Sequence, residues 1–328
     1  MTGSARRAMG IPAPMPTLCG REVPPVLLGT AGIGSVLPDA LVGAGARERA
    51  FRMLDAMLDA GCTAFDLAAS YQIGGTERLV GHWLRARGHR ERLFLVGKGG
   101  HPVPVLAPHR VTPRALADDL HASLDRLGTG KLDLYMLHRD DAQASLEALA
   151  EAIAGFERAG TIGGWGVSNW THDRIARLDA LARAAGASPV AASSPHFSLL
   201  EWARVPWPGS VSVAGEAGRE ARAFHARTSL PLLAWSPLGR GAFSAGGRGG
   251  DQPATYDTPA NLARKERAAK LARERSVTAA QIALAYVLCQ PFPAFVVAAT
   301  TRPENMAANL AAAAIRLTPD ELRWLESG

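Results

Sequence analysis

Along most of this chain, short runs of consecutive apolar residues alternate with longer stretches whose apolar positions recur every three or four residues. The short runs suit strands buried on both faces, and the spaced stretches suit amphipathic helices. Strands are predicted over residues 26–29, 63–66, 93–98, 132–138, 162–167, 190–193, 230–235 and 295–298. Helices are predicted over 47–60, 76–87, 112–127, 144–159, 171–185, 218–227, 262–275, 278–288 and 303–313, with a short last helix capped by Thr318 and Pro319. Thr112 followed by Pro113 is a helix start, and Gly128, Gly160 and Gly186 are helix stops. A short hairpin is expected near residues 15–23, turning at Cys19-Gly20-Arg21.

Strands that alternate with helices, with no linker between the halves, predict an α/β fold. The beat of eight fits one (β/α)8 TIM barrel over residues 15–328. Residues 1–14 read as a flexible arm, rich in Pro, Gly and Ser and without periodicity. A doubly wound sheet would need a glycine-rich turn opening straight into a helix. Residues 29–34 (GTAGIG) do not match that fingerprint, and no helix is predicted before Arg47. Two loops are longer than connections require. The one over 196–216 carries Phe197, Trp202 and Trp207 and reads as a pocket wall. The one over 243–259 is rich in Gly and reads as a mobile flap.

Composition narrows the class. Hydrophobic residues are 47% and charged residues 20%, which suits a globular fold and excludes a disordered or fibrous one. The net charge of +6 comes from arginines spread along the chain, with lysine only at Lys98, Lys131, Lys265 and Lys270. No basic run carries interleaved aromatics, so nucleic acid is not an expected partner. No stretch approaches ~20 apolar residues, so no membrane span is expected. Cys19, Cys62 and Cys289 fit no metal or disulfide spacing. With no secretory h-region near the N-terminus, the expectation is a cytoplasmic protein without a metal. Nothing in the sequence specifies an oligomeric state.

The candidate chemistry lies at the strand ends. Asp66, Lys98 and His138 close the second, third and fourth predicted strands, and Tyr71 lies in the loop after the second. On a barrel these ends share the rim where catalytic residues collect. Alone, each has an ordinary structural reading: a capping acid, a loop aromatic, a surface lysine, a core histidine. Together they make a tyrosine proton donor. Lys98 is expected to lower the Tyr71 pKa from ~10, Asp66 to hold Lys98, and His138 to bond the substrate oxygen. Proton delivery beside a hydride from a cofactor is carbonyl reduction, so the expected ligand is a small-molecule aldehyde or ketone.

The segments GCTAFDLAASY (61–71), VGKG (96–99), LYMLH (134–138) and GVSN (166–169) resemble those of the aldo-keto reductase family. The likeness runs in order from about residue 17 to 320. It implies an NADPH-using barrel whose Asp-Tyr-Lys-His tetrad falls on Asp66, Tyr71, Lys98 and His138. It further implies that Ser168 and Asn169 bind the nicotinamide carboxamide and that Trp235 stacks on the ring. Ser236, Pro237, Leu238, Gly239, Arg240 and Gly241 would run beside the pyrophosphate. Thr300, Thr301, Arg302, Asn305 and Asn309 would hold the adenosine phosphate and adenine. The chain departs from the family pattern at Ser194, which stands where Gln is usual, and at Phe197, near a common Tyr. Gln72 and Ala299 each replace a frequent Gly. The last change leaves NADH possible beside NADPH. Trp170, Phe197, Trp202, Trp207 and the loop after the first strand are the expected substrate pocket. Two other readings stay open: an NADPH-binding regulatory subunit with little turnover, resembling potassium-channel β subunits, and a barrel lyase or isomerase with Lys98 as a Schiff base.

Overall fold

A computed structural model describes residues 15–102, 109–243 and 253–328. The arm expected over 1–14 and residues 244–252 of the expected flap lie outside the described residues. A hairpin of β1 (Thr17–Leu18) and β2 (Arg21–Glu22) comes first. Among the described residues eight parallel strands then close a barrel: β3 (Val26–Gly29), β4 (Ala64–Asp66), β5 (Phe94–Gly99), β6 (Leu134–Leu137), β7 (Trp165–Ser168), β8 (Ala192–Ser194), β9 (Leu232–Trp235) and β10 (Ala294–Ala298). They neighbour one another in chain order, and β10 pairs with both β9 and β3. Around them stand α1 (Ala44–Asp59), α2 (Gly75–Arg87), α3 (Pro113–Leu127), α4 (Leu146–Arg158), α5 (His172–Ala184), α6 (Arg219–Thr228), α7 (Pro259–Glu274), α8 (Ala279–Leu288), α9 (Pro303–Ala311) and α10 (Pro319–Ser327). The expected (β/α)8 barrel is the fold. No helix among the described residues is long and apolar enough to cross a membrane.

Local chemistry explains the helix ends. Thr112 Oγ1 accepts a hydrogen bond from Ala115 N, Pro113 takes the first turn, and Gly128 ends α3 at φ +67°. Thr278 with Gln281, and Thr318 with Glu321, form reciprocal capping boxes at α8 and α10. Strand and helix bounds both moved by up to three residues, α1 beginning at Ala44 rather than 47 and α7 at Pro259 rather than 262. Strand β7 begins at Trp165 rather than 162, and β8 ends at Ser194 rather than 193.

Period-two alternation divides the interior into two cores. Leu27, Ala64, Phe94, Val96, Leu134, Met136, Ala192, Leu233, Phe295 and Val297 fill the barrel. Leu18 and Val23 join them from the hairpin, which plugs the N-terminal mouth. Arg21 anchors that plug to Asp133 and to the Leu93 carbonyl. The alternate strand residues, among them Phe65, Leu95, Tyr135, Val167 and Leu232, face the helices. Two residues beyond each inner residue is the next inward position. That places Asp66 above Ala64, Lys98 above Val96, His138 above Met136, Ser194 above Ala192 and Trp235 above Leu233, all at the C-terminal mouth.

Helices α2 and α3 pack without a side chain between them at Gly81. A Cβ there would stand 2.0 Å from the Arg126 carbonyl oxygen and 2.9 Å from Leu127 Cα. Gly81→Ala gains ~1 kcal/mol in helix propensity. It must also force backbone apart, and overpacking of this kind costs about 1–3 kcal/mol. A lowered urea midpoint is expected; an unchanged or raised midpoint sinks the close-approach argument.

Candidate active site

The structure brings Asp66, Tyr71, Lys98 and His138 together. Lys98 Nζ lies 2.7 Å from Asp66 Oδ1, donates to the Leu67 carbonyl at 3.0 Å and donates to the Tyr71 hydroxyl at 3.2 Å. It thus has two hydrogen-bond acceptors and a carboxylate counterion. The His138 ring stands edge-on to Tyr71, with centroids 5.8 Å apart. Its Nδ1 is buried with no hydrogen-bond partner among the described residues.

Tyr71 reaches this group through a strained turn. Gln72 and Ile73 sit at φ +50° and +54°, in the left-handed region, and Gly74 follows at +76°. Such a conformation is unusual for a β-branched residue and costs of order 1–3 kcal/mol. Gln72 Nε2 donates to the Ala31 carbonyl at 3.0 Å, tying the turn to the loop after β3.

Burial dominates the electrostatics. It pushes the Tyr71 pKa up, and the pull of Lys98 and Arg139 downward does not reverse it, because Asp66 adds to the rise. The expected lowering of the Tyr71 pKa by Lys98 is therefore right for that pair and wrong for the sum. Burial pulls Lys98 down, but Asp66 and Tyr71 more than compensate, and its pKa is raised. Burial raises Asp66 against the opposing effect of Lys98. Burial, Lys98, His101 and Arg139 together hold His138 well below the usual histidine range. At neutral pH the group is a protonated tyrosine, an ammonium and an uncharged imidazole.

A cleft of about 1280 Å³ runs from this group across the barrel mouth to the start of α9. It exceeds the roughly 300–1,000 Å³ of a single small-molecule site. Ser168, Asn169, Ser194, Trp235, Ser236, Pro237, Leu238, Arg240, Gly241, Thr300, Arg302, Asn305 and Asn309 line it. Gly239 and Thr301 do not: Gly239 is buried against Leu200, and Thr301 is exposed outside the lining. Among the described lining residues Asp66 is the sole carboxylate, and Lys98 holds it. The remaining wall therefore suits an anionic ligand. Ser168 Oγ donates to the Ser194 carbonyl at 3.0 Å, and Ser194 Oγ donates to the Leu233 carbonyl at 2.9 Å. With its hydrogen spent, the Ser194 hydroxyl keeps an acceptor lone pair, which fits an amide N–H.

Of the four aromatics expected in a substrate pocket, Trp207 alone lines the cleft. Trp170 is buried, its Nε1 donating to the Arg139 carbonyl at 3.0 Å and its ring beneath Arg174. Phe197 is buried against Tyr286 and Phe292. Trp202 stacks on His196, with centroids 4.4 Å apart, behind the wall. These three face away because the chain after a strand end can turn either side toward the cleft, and apolar character does not say which. The sequence reading missed His101 and Arg139, which also line the cleft. Both follow strand ends, which was the available signal.

Behind Trp235 lies a further polar cluster. Asn169, at φ +62°, accepts through Oδ1 from Trp235 Nε1 and Val211 N, both at 3.2 Å. His196 lies fully buried beneath Trp202 and Trp235, its Nδ1 2.8 Å from Ser212 Oγ and its Nε2 3.0 Å from the Tyr256 hydroxyl. Burial lowers the His196 pKa to about 3, so it is neutral. It fastens the loop over 196–216 and Tyr256 to the wall that carries Trp235. Among the described residues no cluster of His, Cys, Asp and Glu could hold a metal ion.

The family model described as "Aldo/keto reductase family" matches residues 25–327. Aldo-keto reductase str7 of Strobilurus tenacellus is 28% identical over 327 residues, covering 90% of this chain and 85% of that protein. A thermostable aldo-keto reductase solved with the inhibitor epalrestat superposes with a TM-score of 0.72 at 26% identity, over 95% of this chain and 98% of that one. An aldo/keto reductase from Klebsiella pneumoniae, solved with NADP and acetate, superposes with a TM-score of 0.71 at 25% identity, over 96% and 95%.

Tyr256→Phe should expose the role of the buried cluster. It leaves His196 Nε2 with only the long 3.5 Å contact to Ser198 Oγ. A loss of about 1–3 kcal/mol is expected in denaturant unfolding. Tryptophan emission should shift as well, since Trp202 and Trp235 flank the imidazole. Unchanged stability and emission would mean the hydroxyl fastens nothing.

Proposed function

The chain belongs to the aldo/keto reductase family, a family of oxidoreductases, and from that premise we propose that it reduces an aldehyde or ketone to an alcohol with NADPH, Tyr71 being the proton donor. The observation that carries the reading is the Lys98 ammonium, bound at once to Asp66, the Leu67 carbonyl and the Tyr71 hydroxyl. An ammonium so engaged has no free lone pair, which counts against the Schiff-base alternative. The regulatory reading has no observation of its own in its favour, and it is left to the turnover test.

The cleft's volume, its donor set and the lack of an unpaired carboxylate among its described lining residues support a bound coenzyme. Ser168, Asn169 and Ser194 would hold the carboxamide, and Trp235 the ring face. The loop from Ser236 to Gly241 would follow the pyrophosphate. Thr300, Arg302, Asn305 and Asn309 would hold the adenosine end, where an arginine beside a helix start favours a phosphate. When bound, the reduced nicotinamide supplies the hydride that the carbonyl carbon receives.

The chain's own residues handle the oxygen. Tyr71 stands protonated at neutral pH and gives its proton as negative charge develops on the carbonyl oxygen. Lys98 stabilises the phenolate left behind, at 3.2 Å, and Asp66 keeps that ammonium in place. His138 is uncharged, so its one N–H is a hydrogen-bond donor that orients the oxygen without competing for the proton.

Loss of nicotinamide absorbance over a panel of aldehydes and ketones tests this directly. Tyr71→Phe should retain NADPH binding while kcat falls about 100- to 10,000-fold, the range for general acid catalysis. Wild-type reduction should stay level through neutral pH and fall only above about 10, because burial raises the Tyr71 pKa. A variant that keeps most of its rate removes Tyr71 from the role. Tight NADPH binding by wild type with no turnover would instead favour the regulatory reading.

The coenzyme's 2′-phosphate is the second test. Arg302→Ala should weaken NADPH by about 10- to 100-fold, the worth of a charge-assisted hydrogen bond, and NADH much less. Equal losses for the two coenzymes would mean that Arg302 does not read the phosphate.

A further inference from the structure

At the reaction end of the cleft stands a cation that has no counterion among the described residues. Arg139 lines the cleft with Tyr71 and His138 and is half-buried. Its Nη1 donates to the His138 carbonyl at 3.3 Å, and no carboxylate pairs with it among the described residues. The two acids that follow it in sequence are engaged elsewhere. Asp140 lies 2.6 Å from Arg174 Nε, and Asp141 lies 2.8 Å from His109 Nδ1. Asp66, the sole carboxylate among the described lining residues, belongs to Lys98. Trp170 Nε1 pins the Arg139 carbonyl at 3.0 Å, so the residue is held at this position.

A guanidinium half-withdrawn from water, with one carbonyl acceptor and no counterion among the described residues, gains from an incoming anion. The coenzyme's 2′-phosphate, placed at Arg302, is not that anion. Arg139 follows β6 and Arg302 follows β10, and these strands are four places apart in the ring of eight, on opposite sides of the mouth. His101 does not share the task. It stands edge-on against His138 with centroids 4.7 Å apart, its Nδ1 is 2.8 Å from the Pro102 carbonyl, and burial keeps it neutral.

We infer that the carbonyl substrate carries a carboxylate, received by the Arg139 guanidinium while the aldehyde or ketone oxygen lies between Tyr71 and His138. The planar fork of an arginine matches the two oxygens of a carboxylate, and a single unpaired cation matches a single negative charge. This rests on the reductase reading and adds to it the class of substrate: oxo acids and acid-bearing aldehydes over neutral analogues of like size.

The test is steady-state NADPH oxidation with two matched pairs, para-carboxybenzaldehyde with para-methylbenzaldehyde, and succinic semialdehyde with butanal. Wild type should give the higher kcat/KM with the charged member of each pair, and added salt should lower that advantage. Arg139→Met should reduce the charged-to-neutral ratio by about 30-fold or more, the cost of removing one partner of a desolvated charge pair. Arg139→Lys should restore part of the ratio. A wild-type ratio near one overturns the inference and leaves the reductase standing. So does an Arg139→Met variant in which both members fall equally, which would mean that Arg139 acts through Tyr71. No NADPH oxidation with any of the four aldehydes removes the reductase reading and this inference with it.

Discussion

The buried ion pair between Lys98 and Asp66 is the interaction around which the mouth of this barrel is arranged. Withdrawing two charges from water costs several kcal/mol per ion, and good geometry must offset it. Here the 2.7 Å ion-pair contact is joined by hydrogen bonds from the ammonium to the Leu67 carbonyl and the Tyr71 hydroxyl. The pair can sit there because β4 and β5 are adjacent and in register, with Asp66 beside Val96 one inward step below Lys98. The strained turn at Gln72 and Ile73 then carries Tyr71 over the ammonium.

The same economy of charge shapes the rest of the cleft. Three acids away from the cleft have partners of their own: Asp133 has Arg21 and Arg90, Glu77 has Arg126 and Asp140 has Arg174. The described cleft wall is left with cationic and neutral groups once Asp66 is paired. Such a wall attracts anions from a distance and holds them near the reacting group. Arg302 after β10 and Arg139 after β6 stand on opposite sides of that mouth.

The far wall is rigid for a different reason. Asn169 accepts from both Trp235 and the backbone of Val211, and its Nδ2 donates to Ser168 Oγ at 3.0 Å. Beneath Trp235 the neutral His196 joins Ser212 and Tyr256. A long loop is thereby fixed by satisfied buried hydrogen bonds rather than by apolar packing alone, which makes its position specific.

What the sequence by itself determined is what repeats. Side chains of a strand point alternately to its two faces, so once Ala64-Phe65-Asp66 and Phe94 through Lys98 are strands, Asp66 shares a face with Ala64 and Lys98 with Val96, both at the same rim. Helix ends were legible for the same kind of reason, since Thr112, Thr278 and Thr318 cap through neighbours three residues away. Tertiary structure alone decided whatever depends on partners distant in the chain. Trp170 and Phe197 could not be assigned to core or cleft, because loops have no period to orient a side chain. The upward net shift of the Tyr71 pKa could not be read from Lys98, because burial is a property of the whole mouth. Nor could Arg139 be recognised as unpaired beside Asp140 and Asp141, because Arg174 and His109, which engage those acids, reach them only once the chain has folded.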